Sequence, residues 1–207
     1  MKQSDTKKKI LDKALELFSE RGYSSVSVDE IAAAVGIKAP SLYNHFSGKK
    51  AIFDAIVKTT IDQYNEDTNK IDIHVENAKK DIQTFSEIDE VFLFAKLRQV
   101  FEYSIENERI RRFRRMMSIE QFQSKEISAL YTSYYIDRLI DYHANIFRGL
   151  IESHEISFQD PNALALMYVA PVLTLIGICD RDMGKKEECI EKLKNHVDLF
   201  YRLIHRK

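Results

Sequence analysis

The stretch SVDEIAAAVGIKAPSLYNHF, residues 27–46, carries the signals of two short helices joined by a turn. Ser27 and Glu30 have the spacing of a capping box, in which each side chain caps the backbone amide of the other residue at a helix start. Gly36 is typical of a left-handed helix end, and Pro40 is well suited to the first turn of the next helix. Two short helices joined by a glycine-containing turn have the form of a helix-turn-helix motif.

A longer amphipathic helix precedes this motif and ends at Gly22, a second glycine suited to a left-handed cap. Its apolar residues recur with the helical period at Ile10, Leu11, Ala14, Leu17 and Phe18. On the other side of the motif, residues 48–64 place apolar side chains at helical spacing and predict a fourth helix. We therefore expect a helix-turn-helix domain over residues 1–50 and a second domain over residues 51–207.

The second domain also has only helical patterns. We expect helices over about 86–106, 108–122, 125–153 and 161–180, and a last one with an apolar stripe at Ile190, Leu193, Val197, Phe200 and Ile204. The chain contains only six glycines and three prolines, far fewer turn residues than a sandwich or a barrel needs. The sequence therefore predicts an all-α fold of about nine helices, with no strand.

The charge is distributed unevenly between the two predicted domains. The whole chain has a formal net charge of −1, which argues against nucleic-acid binding if it is taken as a single number. Residues 1–50, however, contain nine Lys and Arg against six Asp and Glu, whereas residues 51–207 contain 22 against 26. The basic excess thus coincides with the helix-turn-helix motif, as expected if this part contacts phosphates.

These residues resemble the N-terminal signature of TetR-type transcriptional regulators over about residues 8–56. The resemblance lies in Gly22-Tyr23, residues 28–32, residues 35–37, residues 42–46 and Lys49. It implies a homodimer that binds a palindromic operator in double-stranded DNA, represses transcription and is released by a small-molecule effector. Where that family often has Ser or Thr this chain has Lys38, and where it often has Gly this chain has Pro40, so the resemblance does not predict the operator sequence.

The second short helix is expected to enter the major groove with its first turn. Leu42 and Phe46 should face inward and hold it in place. The candidates for contacts with base edges are Lys38, Ala39, Ser41 and Asn44, because Lys can donate to guanine and Asn can pair with adenine. Pro40, at the start of the helix, is a further candidate DNA-binding residue. The resemblance assigns contacts with the phosphate backbone to Ser27, Tyr43, His45 and Lys49.

The second domain is rich in aromatic residues, most of which are expected in its core. The resemblance also implies an effector cavity among the helices over 86–180, mainly apolar with a few polar groups. The candidate ligand-binding residues are Phe94, Phe101, Met117, Tyr135, Tyr142 and Tyr168, with Arg98 and His143 as polar contacts. They favour an apolar or aromatic effector. A cluster of arginines at 109–115 is interpreted as a solvated face that pairs with nearby acids such as Glu106 and Glu108.

Residues 161–179 contain no charged side chain and reach the length of a membrane-spanning helix. One hypothesis is therefore a membrane-anchored helical protein. The favoured interpretation is a helix that forms, with the last helix, half of a four-helix dimer interface. A third hypothesis is a TetR-like fold that acts through a protein partner.

The remaining expectations concern chemistry and location. The first residues lack the apolar run of a secretory signal, which favours a cytoplasmic protein without a membrane partner. No nucleophile motif, phosphate loop or metal-ligand spacing is recognisable, so we expect neither an enzyme nor a cofactor or metal site. Cys179 and Cys189 are expected to be reduced packing residues.

Overall fold

A computed structural model describes residues 3–87, 89–157 and 160–205. The chain is 81% helical and has no strand in the described part, which confirms the all-α fold class. The α-helices in this part are α1 (Gln3–Arg21), α2 (Val28–Val35), α3 (Ala39–Tyr43), α4 (Lys49–Asn69), α5 (Ile82–Glu87), α6 (Glu90–Glu106), α7 (Glu108–Glu120), α8 (Lys125–Thr132), α9 (Arg138–Glu152), α10 (Pro161–Arg181) and α11 (Lys186–Ile204).

Two boundaries in the middle of the chain differ from the sequence expectation. The helix predicted from Ser86 begins instead at Glu90, because the side chain of Asp89 accepts a hydrogen bond from the amide of Phe92 at 2.8 Å and caps α6. Ser86 belongs to the separate short helix α5. Val91, in the first turn of α6, is 77% exposed.

The long helix predicted over 125–153 is divided into α8 and α9. Residues Ser133–Asp137 between them form a π-helical turn, whose hydrogen bonds span one residue more than those of an α-helix. The α-helical hydrogen-bond pattern is therefore interrupted between α8 and α9.

The helices group into two compact units. We call residues 1–64 with 108–131 the head unit, and residues 65–107 with 132–207 the body unit. The boundary at residue 50 stays a prediction, and the grouping adds α7 and α8 to the unit that contains the helix-turn-helix. The head unit contains sixteen Lys and Arg against eleven Asp and Glu, so α7 and its flanks increase its basic excess.

The core of the head unit lies where α1 packs against α2 and α7. Its fully buried members come from every helix of the unit's first half: Ile10, Ala14, Phe18, Ile31, Leu42, Ile52 and Ile56. From α7, Phe113 and Met116 are also buried. Phe18 stacks edge-on with Tyr23, with 5.3 Å between ring centroids, and so closes the core at the turn after α1.

In the body unit, α10 packs against α9, α6 and α11. The predicted stripe of the last helix is confirmed, since Ile190, Leu193, Val197, Phe200 and Ile204 are all buried. Asp160 caps α10 through the amides of Asn162 and Ala163, and Pro161 occupies its first turn. Cys179 and Cys189 form no disulfide and are buried in the same apolar cluster.

Within the described part of the chain, α10 is the helix that is long and apolar enough to cross a membrane by length and composition alone. A core helix of a soluble protein passes the same test. In the most apolar stretch of α10, 33% of the residues are buried, and Leu164, Ala165 and Tyr168 lie in the core. On the opposite face, Leu166 and Met167 are about half exposed.

Candidate functional site

The start of α2 forms the predicted capping box. The Ser27 amide and hydroxyl both donate to Glu30 Oε2 at 2.8 Å, and the Glu30 amide donates to Ser27 Oγ at 3.2 Å. Arg21 also donates to Glu30, at 2.7 Å. The Ser27 amide, followed by the Arg21 guanidinium, lowers the pKa of Glu30 from 4.5 to about 2. The box therefore stays charged at neutral pH and fixes the start of α2 relative to the end of α1.

The turn between α1 and α2 is held from one side by a buried carboxylate on α7. Glu120 is only 3% exposed, and its two oxygens accept from the amide and the hydroxyl of Ser24, each at 2.8 Å. Gly22 precedes this contact with φ +85°, and a Cβ there would lie 2.5 Å from Glu120 Oε1. This position therefore requires glycine for two independent reasons, its backbone conformation and the proximity of Glu120.

Lys49 holds the same turn from the other side. Its ammonium group donates to the carbonyls of Tyr23, Ser24 and Val26 at 2.9, 3.2 and 2.8 Å, and it lies 4.6 Å from the centre of the Tyr23 ring. These bonds use the three N–H groups of the ammonium. The phosphate contact that the resemblance assigns to Lys49 stays a prediction, but here the residue positions the helix-turn-helix.

The α2–α3 turn and α3 itself follow the sequence signals. Gly36 caps α2 in the left-handed conformation with φ 79°, and Pro40 lies in the first turn of α3. Leu42 is fully buried and Phe46 is 6% exposed, which confirms that both face inward. Together they attach a helix of only five residues to the head-unit core.

Most of the predicted DNA-contacting side chains lie on the solvent side of α3 and its flanks. Tyr43 is 54% exposed. Lys38, Pro40, Ser41 and Asn44 are also exposed, and Ala39 and His45 are partly exposed. Ser27 differs from them because its hydroxyl is already used in the capping box. The structure therefore brings seven of the nine predicted DNA-contacting residues onto one short segment, residues 38–45.

The arginine-rich helix α7 has contacts that its sequence did not indicate. Arg109 pairs with Asp12 on α1 at 3.0 Å and donates to Thr59 on α4 at 2.7 Å. Arg112 pairs with Glu108 at 2.6 Å, as interpreted, and also lies 3.7 Å from Glu16 on α1. Part of the cluster is therefore an interface with α1 and not a solvated face.

The predicted ligand-binding residues are dispersed. Met117 is fully buried on α7 in the head unit, whereas the other seven belong to the body unit. Phe101 is buried in the cluster that contains Cys179 and Cys189, and Phe94 packs against it. Arg98 lies on the surface, where it pairs with Glu102 at 3.1 Å. Tyr135 stacks edge-on with Tyr134 in the π-helical turn.

Three of the predicted ligand-binding residues do lie together. The His143 ring lies between Tyr142 and Tyr168, with centroid distances of 4.8 and 4.9 Å. Phe147 packs beside them, 5.9 Å from Tyr168. Nδ1 of His143 is 2.8 Å from the Leu139 carbonyl. These rings form the aromatic centre of the body unit.

The aromatic surroundings alter the protonation of this cluster. Burial lowers the pKa of His143 from 6.5 to about 4, even though the Leu139 carbonyl and the charge of Asp81 favour the protonated form. Burial likewise raises the pKa of Tyr168 above its usual value. Both side chains are therefore neutral at pH 7, as an apolar site requires.

A buried carboxylate ties this centre to the segment before α5. Asp81 is 2% exposed and accepts hydrogen bonds from the His74 amide at 2.7 Å and from the Tyr142 hydroxyl; His74 Nδ1 lies 2.6 Å from it. Beside it, a groove of about 350 Å³ runs along the π-helical turn. Its lining is polar and includes Glu76, Asp137 and Arg138. Neither Asp81 nor the groove was indicated by the sequence patterns.

Apolar anchors beneath a short, polar, exposed helix define a helix-turn-helix DNA-binding unit. The family model "Bacterial regulatory proteins, tetR family" matches residues 10–56. Over 59 residues the chain is 49% identical to IcaR of Staphylococcus aureus, a negative transcriptional regulator of a biofilm operon. That match covers 28% of this chain and 32% of IcaR, so the likeness extends over about a third of the length of that relative.

Solved structures extend the likeness to the fold of the whole chain. A Mesorhizobium loti protein assigned to the TetR family has a TM-score of 0.69 at 19% identity, covering 98% of both chains. The complex of Stenotrophomonas maltophilia SmeT with triclosan has a TM-score of 0.67 at 21% identity, covering 97% of this chain and 90% of SmeT. The DNA-binding unit is thus a domain of the TetR family of bacterial regulatory proteins, and the chain has the fold of that family.

Proposed function

We propose that this protein is a ligand-responsive transcriptional repressor that acts in the cytoplasm and binds a palindromic operator as a homodimer. The observation that carries the proposal is the division of α3 into a buried and an exposed side. Leu42 and Phe46 anchor it, while Lys38, Ser41 and Asn44 remain exposed for base edges. IcaR, to which the chain is 49% identical over 59 residues, is itself a negative regulator.

In this proposal Tyr43 and His45 contact phosphates beside the base-reading side chains. Lys49 and Ser27 have a different role, since their polar groups already hold the α1–α2 turn and the start of α2. The basic excess of the head unit draws it to DNA, and the acidic excess of the body unit opposes DNA contact there.

Selection of binding sites from random DNA with the full chain tests sequence recognition. We expect a palindrome whose half-sites lie one turn apart, about 10–10.5 base pairs. Asn44→Ala should remove the preference at one base pair in each half-site, worth about 1–3 kcal/mol, whereas Tyr43→Phe should weaken binding to every sequence. Lys194→Ala, an exposed change in the body unit, serves as the control. Equal loss on all sequences for Asn44→Ala would refute its base-reading role.

Exposed apolar side chains on the last two helices support the homodimer. Leu166 and Met167 on α10 are 52% and 49% exposed, and Leu199 on α11 is 70% exposed. Burying such residues against a second copy is favourable, and a two-fold dimer sets the spacing of two recognition helices. Sedimentation analysis should give a dimer that Leu199→Glu converts to a monomer. A wild-type monomer at micromolar concentration would contradict this interface.

The effector response is proposed from the aromatic centre of the body unit. The rings of Tyr142, His143 and Tyr168 offer an apolar surface with few polar groups, which suits an apolar or aromatic molecule. SmeT, which has the same fold, forms a complex with triclosan. An effector that binds the DNA-free form more tightly would release the operator, with a coupling free energy of about 1–3 kcal/mol.

A further inference from the structure

Lys7 lies on the apolar stripe of α1, where the helical pattern calls for an apolar side chain. It precedes Ile10 by about one turn and Ala14 by about two, and both of those residues are fully buried in the head-unit core. Lys7 itself is exposed at the edge of this core, and its ammonium group lies 5.4 Å from the centre of the Phe46 ring. The second turn of α1 therefore lies against the residue that directly follows the exposed segment 38–45.

The charge of Lys7 is not used by the fold. In the part of the chain that the structure describes, no carboxylate forms an ion pair with Lys7, whereas Asp12 and Lys13 on the same helix are both paired. An ammonium over an exposed ring is a weak contact. A methionine would cover the Phe46 ring with more apolar surface. An unpaired cation at this place, in a unit with a basic excess, therefore fits an anion from outside the chain.

We propose that Lys7 binds a phosphate of the DNA backbone next to those that α3 contacts, and so adds one phosphate contact to each half-site. Phe46 holds the ammonium beside the end of the segment in which Tyr43 and His45 are proposed to contact phosphates. Each DNA strand carries a phosphate about every 3.4 Å along the helix axis, so a cation beside that segment meets the next phosphate. The inference rests on the proposed function and adds a residue outside the helix-turn-helix to its DNA contacts.

The Phe46 ring also makes Lys7 a better phosphate ligand than a free surface lysine. A long side chain loses rotamer freedom when it binds, and a side chain already held by a ring loses less. Phe46 is 6% exposed and anchors α3, so the ammonium keeps its place relative to the recognition helix. Because a phosphate contact carries no sequence information, Lys7 should raise the affinity for every DNA without changing the preferred bases.

The test uses the full chain and two duplexes, the selected operator and a scrambled duplex of the same base composition. Affinities are measured by fluorescence anisotropy between about 50 and 200 mM salt. Lys7→Met keeps a long side chain over Phe46 and removes only the charge. The slope of log K against log salt should become shallower by about 0.9 for each lost phosphate contact, or about 1.8 for a dimer. The ratio of the two affinities should stay as in the wild type.

Lys9→Met is the matched control, because Lys9 is exposed but lies about 200° further around α1. It removes the same charge and should leave the slope unchanged. Lys7→Arg should keep the wild-type slope, which separates a phosphate contact from an effect on folding. The melting temperature of Lys7→Met without DNA should equal or exceed that of the wild type, since Met covers Phe46.

Three results would overturn the contact while leaving the proposed function intact. They are a wild-type slope in Lys7→Met, an equal decrease in Lys9→Met, and a decrease in Lys7→Arg as large as that in Lys7→Met. A wild type that binds neither duplex, or binds without salt dependence, would instead refute the proposed function and this contact with it.

Discussion

The head unit and the body unit are stabilised by different kinds of contact. In the head unit, charged groups hold the turn that positions the helix-turn-helix. The carboxylate of Glu120 accepts a hydrogen bond from a backbone amide of this turn, and the ammonium group of Lys49 donates to its backbone carbonyls. In the body unit, aromatic rings pack around His143, and one buried carboxylate, Asp81, ties them to the segment before α5. The first arrangement fixes the geometry of a turn through directional hydrogen bonds, whereas the second relies mainly on the packing of apolar surface.

The largest effect is expected from Gly22→Ala in the head unit. Its φ of +85° strains any other residue by about 1–2 kcal/mol, and the new Cβ would displace Glu120, whose charged hydrogen bonds add about 1–3 kcal/mol. Urea unfolding should show a loss of about 3 kcal/mol. Gly36→Ala is the matched control, since Gly36 has a similar φ of +79° but no atom within 4 Å of its Cβ position. Equal losses for the two variants would show that Glu120 does not contribute.

A somewhat smaller effect is expected from Asp81→Ala in the body unit. The change leaves the His74 amide and the Tyr142 hydroxyl without their acceptor, at a cost of about 2–3 kcal/mol. Asp89→Ala, which removes only the cap of α6, should cost about 1 kcal/mol. Urea unfolding compares the two variants. If Asp81→Ala cost no more than Asp89→Ala, the aromatic packing alone would hold the body unit together.

Acid should destabilise the body unit through His143. Its pKa is about 4 in the folded protein and 6.5 in the unfolded chain, so between these values the unfolded chain binds more protons. Stability is therefore full above pH 6.5 and falls as the pH is lowered towards 4, with a loss of about 2 kcal/mol between pH 7 and pH 5. His143→Phe should remove this part of the pH dependence in urea unfolding. An unchanged slope in the variant would show that the ring is solvated.

The smallest effect is expected from Lys49→Met. Three carbonyls of the α1–α2 turn lose their donor, but they lie near solvent, so the loss should be about 1 kcal/mol. The same variant decides between the two roles of Lys49. A structural role leaves the salt dependence of DNA binding unchanged, whereas loss of a phosphate contact reduces the slope by about one. Lys50→Met, next in the chain and exposed, is the control for a general loss of charge.

The two units also differ in how much of them the sequence predicts. In the head unit, the capping box, Gly36 and Pro40 lie within a few residues of the helix ends that they predict. The structure confirms all three helix ends. The contact between Ser24 and Glu120 joins residues 96 positions apart, so no local pattern indicates it. The π-helical turn contains neither proline nor glycine, so the periodicity of its flanks favoured one continuous helix.

The candidate ligand site shows the same limit. Tyr142, His143 and Tyr168 were predicted as ligand contacts and do lie together, because α9 and α10 pack side by side. Residue type also favours Arg98 and Met117 as ligand contacts, but Arg98 pairs with Glu102 on the surface and Met117 belongs to the head unit. Residue type indicates what a ligand would prefer, whereas only the helix packing indicates which residues meet.

The salt dependence of DNA binding decides whether the basic head unit recognises DNA through the exposed side of α3. The affinity of the full chain for its selected operator should be measured over a salt series, with and without Asn44→Ala. We predict a linear fall of log K with log salt, with a slope of about −0.9 for each phosphate neutralised. Asn44→Ala should keep that slope but lose the preference for the operator over a mutated one. Binding that is independent of salt, or a wild type that does not distinguish the two DNAs, would contradict recognition through α3.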